Sequence, residues 1–445
     1  MTTPITSLQS ALQSLPPDAT EAIVTENFSI PLLQALGFET GEITLQYETG
    51  NGRVDKAARK NTDNDIFSHT RSNPYLILEL KSRAINLAEG RSQYFNTVSQ
   101  IKQYLLSPNC TSVQWGIITN SSHIQLFRKH GKVIFPATQC LKIDSSNIDQ
   151  VVNDIRKKIE EKDRALTITI YNNKGGVGKT TTAINLAAIL TVLGKKVLTI
   201  DFDLNQQNLT SNLGIVKDSS FLLEILADKT VQILSSVKPY SFESNRRILT
   251  FDVLPGDKKL KLRSDIDEKF KAALQDYALY KKLELARKKY DYILIDSAPN
   301  WRFTTQLAIY ASDVILTPTQ HNDAFSLENI AIAIKEFIPE IQANKENGTP
   351  IFLPIFFNGQ KINSSQLQNA QKTINKIILE AKQEGFNLIP YFYPKYTPSN
   401  KDLSIHHLPD YAHISNATFL NVPIVYRNSY AREYYKSLAK KYFIQ

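Results

Sequence analysis

Asn172-Asn173-Lys174-Gly175-Gly176-Val177-Gly178-Lys179-Thr180-Thr181 decides how the larger part of this chain folds. The segment follows the apolar, β-rich run Leu166 to Tyr171 and precedes a helix-length stretch that reaches Leu193 and closes at Gly194. Strand, glycine loop and helix in that order build a phosphate cradle. Glycines let backbone N–H groups converge on phosphate oxygens, and the new helix adds unsatisfied N-terminal donors and its positive dipole end. In such a cradle Lys179 neutralises the β and γ phosphates and Thr180 offers its hydroxyl to Mg²⁺, while Gly175, Gly176, Val177, Gly178 and Thr181 complete the expected nucleotide contacts. The common GxxxxGK[ST] pattern would put glycine at Asn173, so this loop departs by one residue, and an additional lysine, Lys174, opens it.

Working outward from the loop, Val197 to Ile200, Tyr292 to Ile295, Val314 to Pro318 and Ile351 to Phe357 are further β-rich apolar runs separated by helix-length stretches. That alternation predicts a doubly wound parallel sheet with helices on both faces. Upstream, Tyr75 to Leu80, Val113 to Ile118 and Ile124 to Phe127 alternate with helical segments, so the front of the chain also reads as α/β. Between the two parts, Ser145 to Arg164 carries Ile148, Val151, Val152, Ile155 and Ile159 at roughly helical spacing, as a connecting helix would. The expected organisation is a first domain over 1–145, a linker helix over 146–164 and a second domain over 165–445.

The loop KGGVGKTT resembles the deviant Walker A loop of the ParA/MinD family of ATPases, in which the first lysine reaches across a nucleotide-sandwich dimer to the partner's phosphates. Other marks of that family follow in order. Asp201-Phe202-Asp203 with Asn208-Leu209-Thr210 resembles the DxDPQxNxT switch, although Leu204 and Asn205 replace Pro-Gln and the segment is one residue longer. Asp296 matches the Walker B aspartate, Ser297-Ala298-Pro299 the second switch, and Thr317-Pro318-Thr319-Gln320 the next strand end. The resemblance implies ATP and Mg²⁺ as cofactors and an ATP-dependent homodimer that binds DNA non-specifically. It further implies that Asp203 orients or activates the attacking water, that Asp201 and Asp296 support Mg²⁺ through its waters, and that Lys174 completes the site in trans. Asn358 would contact the base by the same resemblance, or be a plain loop asparagine.

Composition bounds the remaining possibilities. The 445 residues have 42% hydrophobic and 21% charged side chains, ordinary for a globular protein of two to three domains. Two cysteines, Cys110 and Cys140, without paired Cys/His spacing exclude a disulfide framework and a structural zinc site, and point to a reducing cytoplasm. The first 50 residues hold no Lys or Arg, so no secretory leader is expected, and no apolar run approaches the ~20 residues of a membrane span. The formal charge is +9, yet residues 1–150 hold 13 basic and 13 acidic side chains, leaving 39 against 30 in the remainder. A polyanionic partner is therefore expected to meet the second domain. Lys258, Lys259, Lys261 and Arg263, and again Lys281, Lys282, Arg287, Lys288 and Lys289, are either a DNA surface or solvated helix faces. Tyr430 to Phe443 is basic and amphipathic, which fits a packed terminal helix or a membrane-surface helix.

In the first domain, Tyr75-Leu76-Ile77-Leu78-Glu79-Leu80-Lys81 is an apolar strand whose end carries a carboxylate and an ammonium two residues apart, hence on one face. Asp55 lies upstream on an expected strand, Glu26 on a helix before it, and Gln100 and Tyr104 one turn apart on a helix after it. This order resembles the PD-D/ExK nuclease fold, in particular the N-terminal nuclease domain of type I restriction subunits, and Gln100 to Tyr104 resembles the QxxxY motif of RecB-type nucleases. The resemblance implies that Asp55 and Glu79 bind Mg²⁺ beside a scissile phosphate and that Lys81 holds or deprotonates the attacking water. Glu26 would add a carboxylate, and Gln100 and Tyr104 would steady the lysine and the DNA strand.

The resulting expectation is a cytoplasmic ParA-type ATPase that controls a fused nuclease acting on DNA, in defence against foreign DNA. The alternatives are a partition ATPase whose front domain only binds DNA or an adaptor, and a MinD-like protein of the membrane surface; an adaptor or hydrolysis-stimulating protein is a further expected partner.

Overall fold

The computed structural model describes residues 7–161, 165–215, 222–228, 230–244, 247–256, 277–345, 347–359, 361–409 and 421–445. The chain divides into two compact units, Met1–Lys162 with Glu346–Gly348 and Phe443–Gln445, and Asp163–Lys345 with Thr349–Tyr442.

Seven strands build the sheet of the first unit: β1 (Ile43–Glu48), β2 (Arg53–Ala58), β3 (Leu76–Leu80), β4 (Trp115–Thr119), β5 (His123–His130), β6 (Val133–Pro136) and β7 (Leu141–Lys142). They lie in the order β1-β2-β3-β4-β5-β6, with β7 also paired to β5. β3 and β4 run parallel, joined through the helix Ser92–Leu105, and the other pairs are antiparallel. All five residues of β3 are buried, because helices cover both faces of the sheet there. Leu76, Leu78 and Leu80 share a core with Leu12, Val24, Leu32, Val152 and Ile155, whereas Ile77 packs with Ile101 and Leu105 of the helix Ser92–Leu105.

The helix expected to connect the two parts spans Ile148–Glu160 and packs within the first unit. Its stripe Ile148, Val152, Ile155 and Ile159 is buried in that first core, each side chain contributing about 1.5–3 kcal/mol of apolar transfer. Tyr75 also donates from its hydroxyl to the Ile159 carbonyl at 3.1 Å. A helix with so wide an apolar stripe stabilises the unit that covers it, so this helix packs as part of the first unit's core.

The second unit holds β8 (Leu166–Ile170), β9 (Val197–Phe202), β10 (Lys238–Ser244), β11 (Arg247–Leu254), β12 (Tyr292–Ser297), β13 (Val314–Leu316), β14 (Pro318–Thr319), β15 (Ile351–Phe352), β16 (Phe356–Gly359) and β17 (His406–Pro409). The main sheet runs β10-β11-β9-β12-β8-β13-β15, parallel except for the β10–β11 hairpin. Strand order reverses at β8, whose neighbours β12 and β13 belong to later parts of the chain; such a reversal opens a crevice at the strand ends. A smaller parallel sheet, β14-β16-β17, stands beside it.

Two apolar runs expected as single strands are divided. Val314 to Pro318 splits into β13 and β14, and Ile351 to Phe357 into β15 and β16, with each half in a different sheet. Pro318 and Pro354 carry no N–H, so neither run can hold one continuous ladder. The helix Lys179–Val192 is buried along most of its length, and the terminal helix Ser429–Tyr442 packs its Ala431, Tyr435, Leu438, Ala439 and Tyr442 inward. No helix among the described residues is long and apolar enough to cross a membrane.

Candidate functional site

The phosphate loop leaves β8 at Ile170 and enters the helix Lys179–Val192 through Gly178, with Gly176 at φ +78° and Gly178 at φ +85°. Only glycine takes that left-handed turn freely, and a Cβ at Gly178 would stand 2.1 Å from the Asn358 amide nitrogen. Asn358 donates from Nδ2 to the Val177 carbonyl at 2.9 Å, so its amide clamps the loop. Asn172 holds the front of the loop: Oδ1 accepts the Lys174 N–H at 3.0 Å, and Nδ2 donates to the Pro318 carbonyl and to Ser326. Gln320 donates to the Gly176 carbonyl at 3.2 Å.

Lys179 is 7% exposed and its Nζ spans the loop, donating to the carbonyls of Lys174 at 2.8 Å and Asn172 at 3.1 Å. Burial pulls its pKa below the usual lysine value, against the attraction of Asp296 and Asp203. Thr180 follows at the first turn, and Thr181 accepts through its carbonyl from Asn185. Lys174 is half-exposed, and its Nζ lies 3.4 Å from Asp323 Oδ2.

Three carboxylates converge behind the loop. Asp296, next to last in β12, is at register with Asp201, next to last in β9, and both are fully buried. Asp201 Oδ2 accepts the Thr210 backbone N–H at 2.8 Å and its hydroxyl at 2.6 Å, which ties the switch segment to β9. Among the described residues neither oxygen of Asp296 meets a hydrogen-bond partner in good geometry, the Thr180 hydroxyl standing beside the carboxylate. Burial first, then Asp201 and Asp203, holds the Asp296 pKa well above the carboxylate range, while the nearby Thr180 hydroxyl and Lys179 act against that rise. Asp203 Oδ1 accepts the N–H groups of Asn205 and Gln206 at 3.2 and 3.1 Å, and the longer switch closes through Gln207 at φ +52°. Two orphaned oxygens beside a threonine hydroxyl form a hard-oxygen donor set that fits a hydrated Mg²⁺ carried on a nucleotide.

The first unit gathers a second constellation. The β2–β3 ladder ends at Lys56 opposite Leu78, and beyond it the Asp55 carboxylate, rather than the strand backbone, accepts the Leu80 N–H at 2.7 Å. Glu79 is 3% exposed; its Oε1 accepts from Lys81 Nζ at 2.6 Å and its Oε2 has no partner. Burial drives the Glu79 pKa up to about 7 against the pull of Lys81, and burial also raises that of Asp55. Lys81 is pulled down by burial but held above its usual value by Glu79, Glu21 and Asp55. The orphaned Glu79 oxygen beside a second buried carboxylate fits a divalent cation, the remaining ligands coming from phosphate and water, since no trio of His, Cys, Asp or Glu among the described residues is placed to hold a metal.

Glu26 does not join this cluster. It is exposed on the helix Glu21–Asn27, and the carboxylate near Lys81 is Glu21, whose Oε2 lies 3.7 Å from Nζ. Five residues along a helix turn the side chain by about 140°, which carries Glu26 away from the lysine. Gln100 and Tyr104 bond each other, Nε2 to hydroxyl at 3.1 Å, on the helix that covers the Ile77 face, and the Tyr104 ring abuts Gly52 before β2. Glu21 was recoverable from sequence only by helical phase, and Asp323 carries no signal there because its lysine partner lies far away in the chain.

The second basic cluster is largely engaged within its own unit. Arg287 is buried on the carbonyls of Tyr280 and Ala311, Lys282 donates to the carbonyls of Asp228 and Val231, Lys288 pairs with Glu284 and Lys289 with Asp252. Lys281 stands over the Tyr277 ring. The cluster Lys258, Lys259, Lys261 and Arg263 lies outside the described residues. Burial raises the Cys110 thiol to about 11 and the Cys140 thiol to about 12, which suits packing rather than reactivity.

Residues 165–350 match the family described as AAA domain, and residues 20–137 match the family described as type I restriction enzyme R protein N terminus. The chromosome-partitioning ATPase Soj of Treponema pallidum is 31% identical over 225 residues, covering 50% of this chain and 81% of that protein. The sporulation initiation inhibitor protein Soj of Bacillus subtilis is 36% identical over 166 residues, 37% of this chain and 61% of its own length, so the chain spans less than two thirds of that relative. Among solved structures, a Cyanothece McdA in complex with ATP is 21% identical with a TM-score of 0.48, covering 64% of this chain and 98% of that one.

Proposed function

The chain belongs to the ParA/Soj family of ATPases, and from that premise we propose that it is an ATP-dependent, DNA-acting protein whose nucleotide-driven pairing controls a Mg²⁺-dependent nuclease site in its first unit. One observation carries the nuclease half: Asp55, Glu79 and Lys81 are mutually coupled at a strand end, with a buried Glu79 oxygen left unsatisfied. A purely structural strand end gains nothing from such a group, since an unpaired buried polar atom costs about 1–3 kcal/mol.

In the second unit, phosphoryl transfer needs positioning and charge neutralisation rather than a covalent protein group. The loop N–H groups and Lys179 bind the triphosphate, and Asp203 orients the attacking water. Lys174 reaches the phosphates of a second subunit, which makes pairing depend on ATP. Thr180, with Asp201 and Asp296 through water, would hold Mg²⁺, whose charge offsets that of the phosphates. In the first unit Asp55 and Glu79 would hold Mg²⁺ beside a scissile phosphate, and Lys81 positions the water that attacks it. Gln100 and Tyr104 orient the strand.

The near-neutral balance of residues 1–150 gives the first unit little hold on a duplex, so DNA capture falls to the more basic remainder. Defence against foreign DNA is a setting that such a coupled pair suits. The test is supercoiled plasmid with the full chain, Mg²⁺ and ATP. Nicked circles from wild type and none from Lys81→Ala are expected; intact plasmid under every metal and nucleotide condition would remove the nuclease.

A second reading is favoured by the Treponema relative, whose name is that of a chromosome-partitioning ATPase. There the first unit binds DNA or an adaptor without cutting, and Lys81→Ala leaves plasmid or chromosome inheritance unchanged.

A further inference from the structure

We propose that Asp323 is a positioning residue that keeps Lys174 on its own subunit until the nucleotide-bound pair forms, an inference that rests on the trans role given to Lys174 above. The two side chains meet across the mouth of the phosphate loop, Nζ to Oδ2 at 3.4 Å, with the lysine 45% and the aspartate 15% exposed. They are unequal in freedom. Asp323 is the N-cap of the helix Ala324–Ile332, where its Oδ1 accepts the Ser326 N–H at 3.1 Å, so each of its oxygens has a separate task.

The surroundings fix that carboxylate against the loop. Ser326 bonds Thr319 at 2.7 Å and Asn172 at 2.8 Å, Asn172 also holds the Pro318 carbonyl and the Lys174 N–H, and Gln320 holds the Gly176 carbonyl. The helix start and the front half of the loop therefore form one hydrogen-bonded body, and the Lys174 stem is the free arm on it. A half-exposed ion pair is a weak restraint. Its release leaves Asp323 at a helix N-terminus, where the dipole favours a negative charge. A triphosphate presents more negative charge than one carboxylate, so Lys174 exchanges partners only when a second subunit brings nucleotide within reach.

The contact thus sets the threshold for pairing. Asparagine caps a helix about as well as aspartate, so Asp323→Asn removes the ion pair and spares the cap. The experiment is light scattering of the full chain over a protein concentration series, with and without ATP, for wild type, Asp323→Asn and Asp323→Glu. Asp323→Asn is expected to lower the midpoint of ATP-dependent pairing by about two- to thirtyfold, since two such pairs break per dimer, with no pairing in the absence of ATP. Asp323→Glu, which keeps the charge, is expected to stay near wild type. Damage to the helix would raise the midpoint, so a fall separates release of the lysine from a structural effect. Should Asp323→Asn misfold, Asp323→Ser, also a good cap, repeats the series. A midpoint that is unchanged or raised while wild type still pairs would overturn the role of Asp323. If no form pairs with ATP, the trans role of Lys174 fails instead.

Discussion

Asp296 and Asp201 face one another in the register of two adjacent parallel strands, both wholly buried, and the switch segment reaches only one of them, through Asp201 Oδ2. Thr210 meets Asp201 with a backbone N–H and a hydroxyl, whereas Asp296 has only the Thr180 hydroxyl beside it. Two like charges so placed disfavour each other, and the strain is tolerable where a cation and a lysine are to be recruited.

Replacing Asp296 by asparagine should therefore separate stability from function. Without nucleotide, Asp296→Asn is expected to gain about 1–3 kcal/mol of stability, because it removes a buried carboxyl whose charged form burial and Asp201 disfavour, without changing volume. ATP hydrolysis is expected to fall at least about a hundredfold, as loss of a preorganised electrostatic group does. Denaturant melts and phosphate-release assays on the same preparations check both. A variant that is less stable and still active would assign Asp296 to the scaffold alone.

The pH response of the first unit follows from Glu79. Its folded pKa, raised by burial to about 7, lies above the ordinary carboxylate value, so the folded state binds this proton more tightly than the unfolded chain. Stability is therefore highest below the unfolded value and declines as pH rises from about 4.5 to about 7, staying low above that. In metal-free buffer, Glu79→Gln should match wild type near pH 4.5 and exceed it at pH 8 by about 3 kcal/mol, the rise from 4.5 to about 7 at ~1.4 kcal/mol per pKa unit. Melts at the two pH values test the sign, and equal stabilities at pH 8 would place the Glu79 pKa near its ordinary value.

Glu21 and Glu26 offer a comparison within one helix. Glu21 lies 3.7 Å from Lys81 Nζ and Glu26 faces solvent, so Glu21→Gln is expected to slow plasmid nicking by about tenfold and Glu26→Gln to leave it unchanged. Nicking rates at fixed Mg²⁺ decide between them. The reverse pattern would overturn the assignment of Glu21 to the site.

How much of this was legible in the chain depended on the range of the interaction. The phosphate loop, its strand and its helix were readable because their chemistry is contiguous from Leu166 to Gly194, and Glu79 with Lys81 because a strand fixes their phase two residues apart. Glu21 was missed since a helix can be entered at any phase, and only packing of Val24 into the core sets it. The Ile148–Glu160 helix looked like a joint because amphipathic periodicity reports that a stripe is buried and not against what. Pro318 and Pro354 divided two apolar runs that hydrophobicity alone made continuous. The basic residues around Arg287 resembled a DNA surface in one dimension, yet carbonyl contacts hold Lys282 and Arg287 within the unit, and Glu284 and Asp252 pair with Lys288 and Lys289.

The central claim is that ATP, through Lys174, governs cutting by the Glu79–Lys81 site, and one measurement addresses it most directly. Initial nicking rates on supercoiled plasmid are followed for wild type and Lys174→Ala, each with Mg²⁺ and either saturating ATP or none. The account predicts that the two wild-type rates differ by about tenfold or more, and that Lys174→Ala, which still binds nucleotide, gives one rate in both conditions. Equal wild-type rates with and without ATP, or an ATP response that survives in Lys174→Ala, would contradict it.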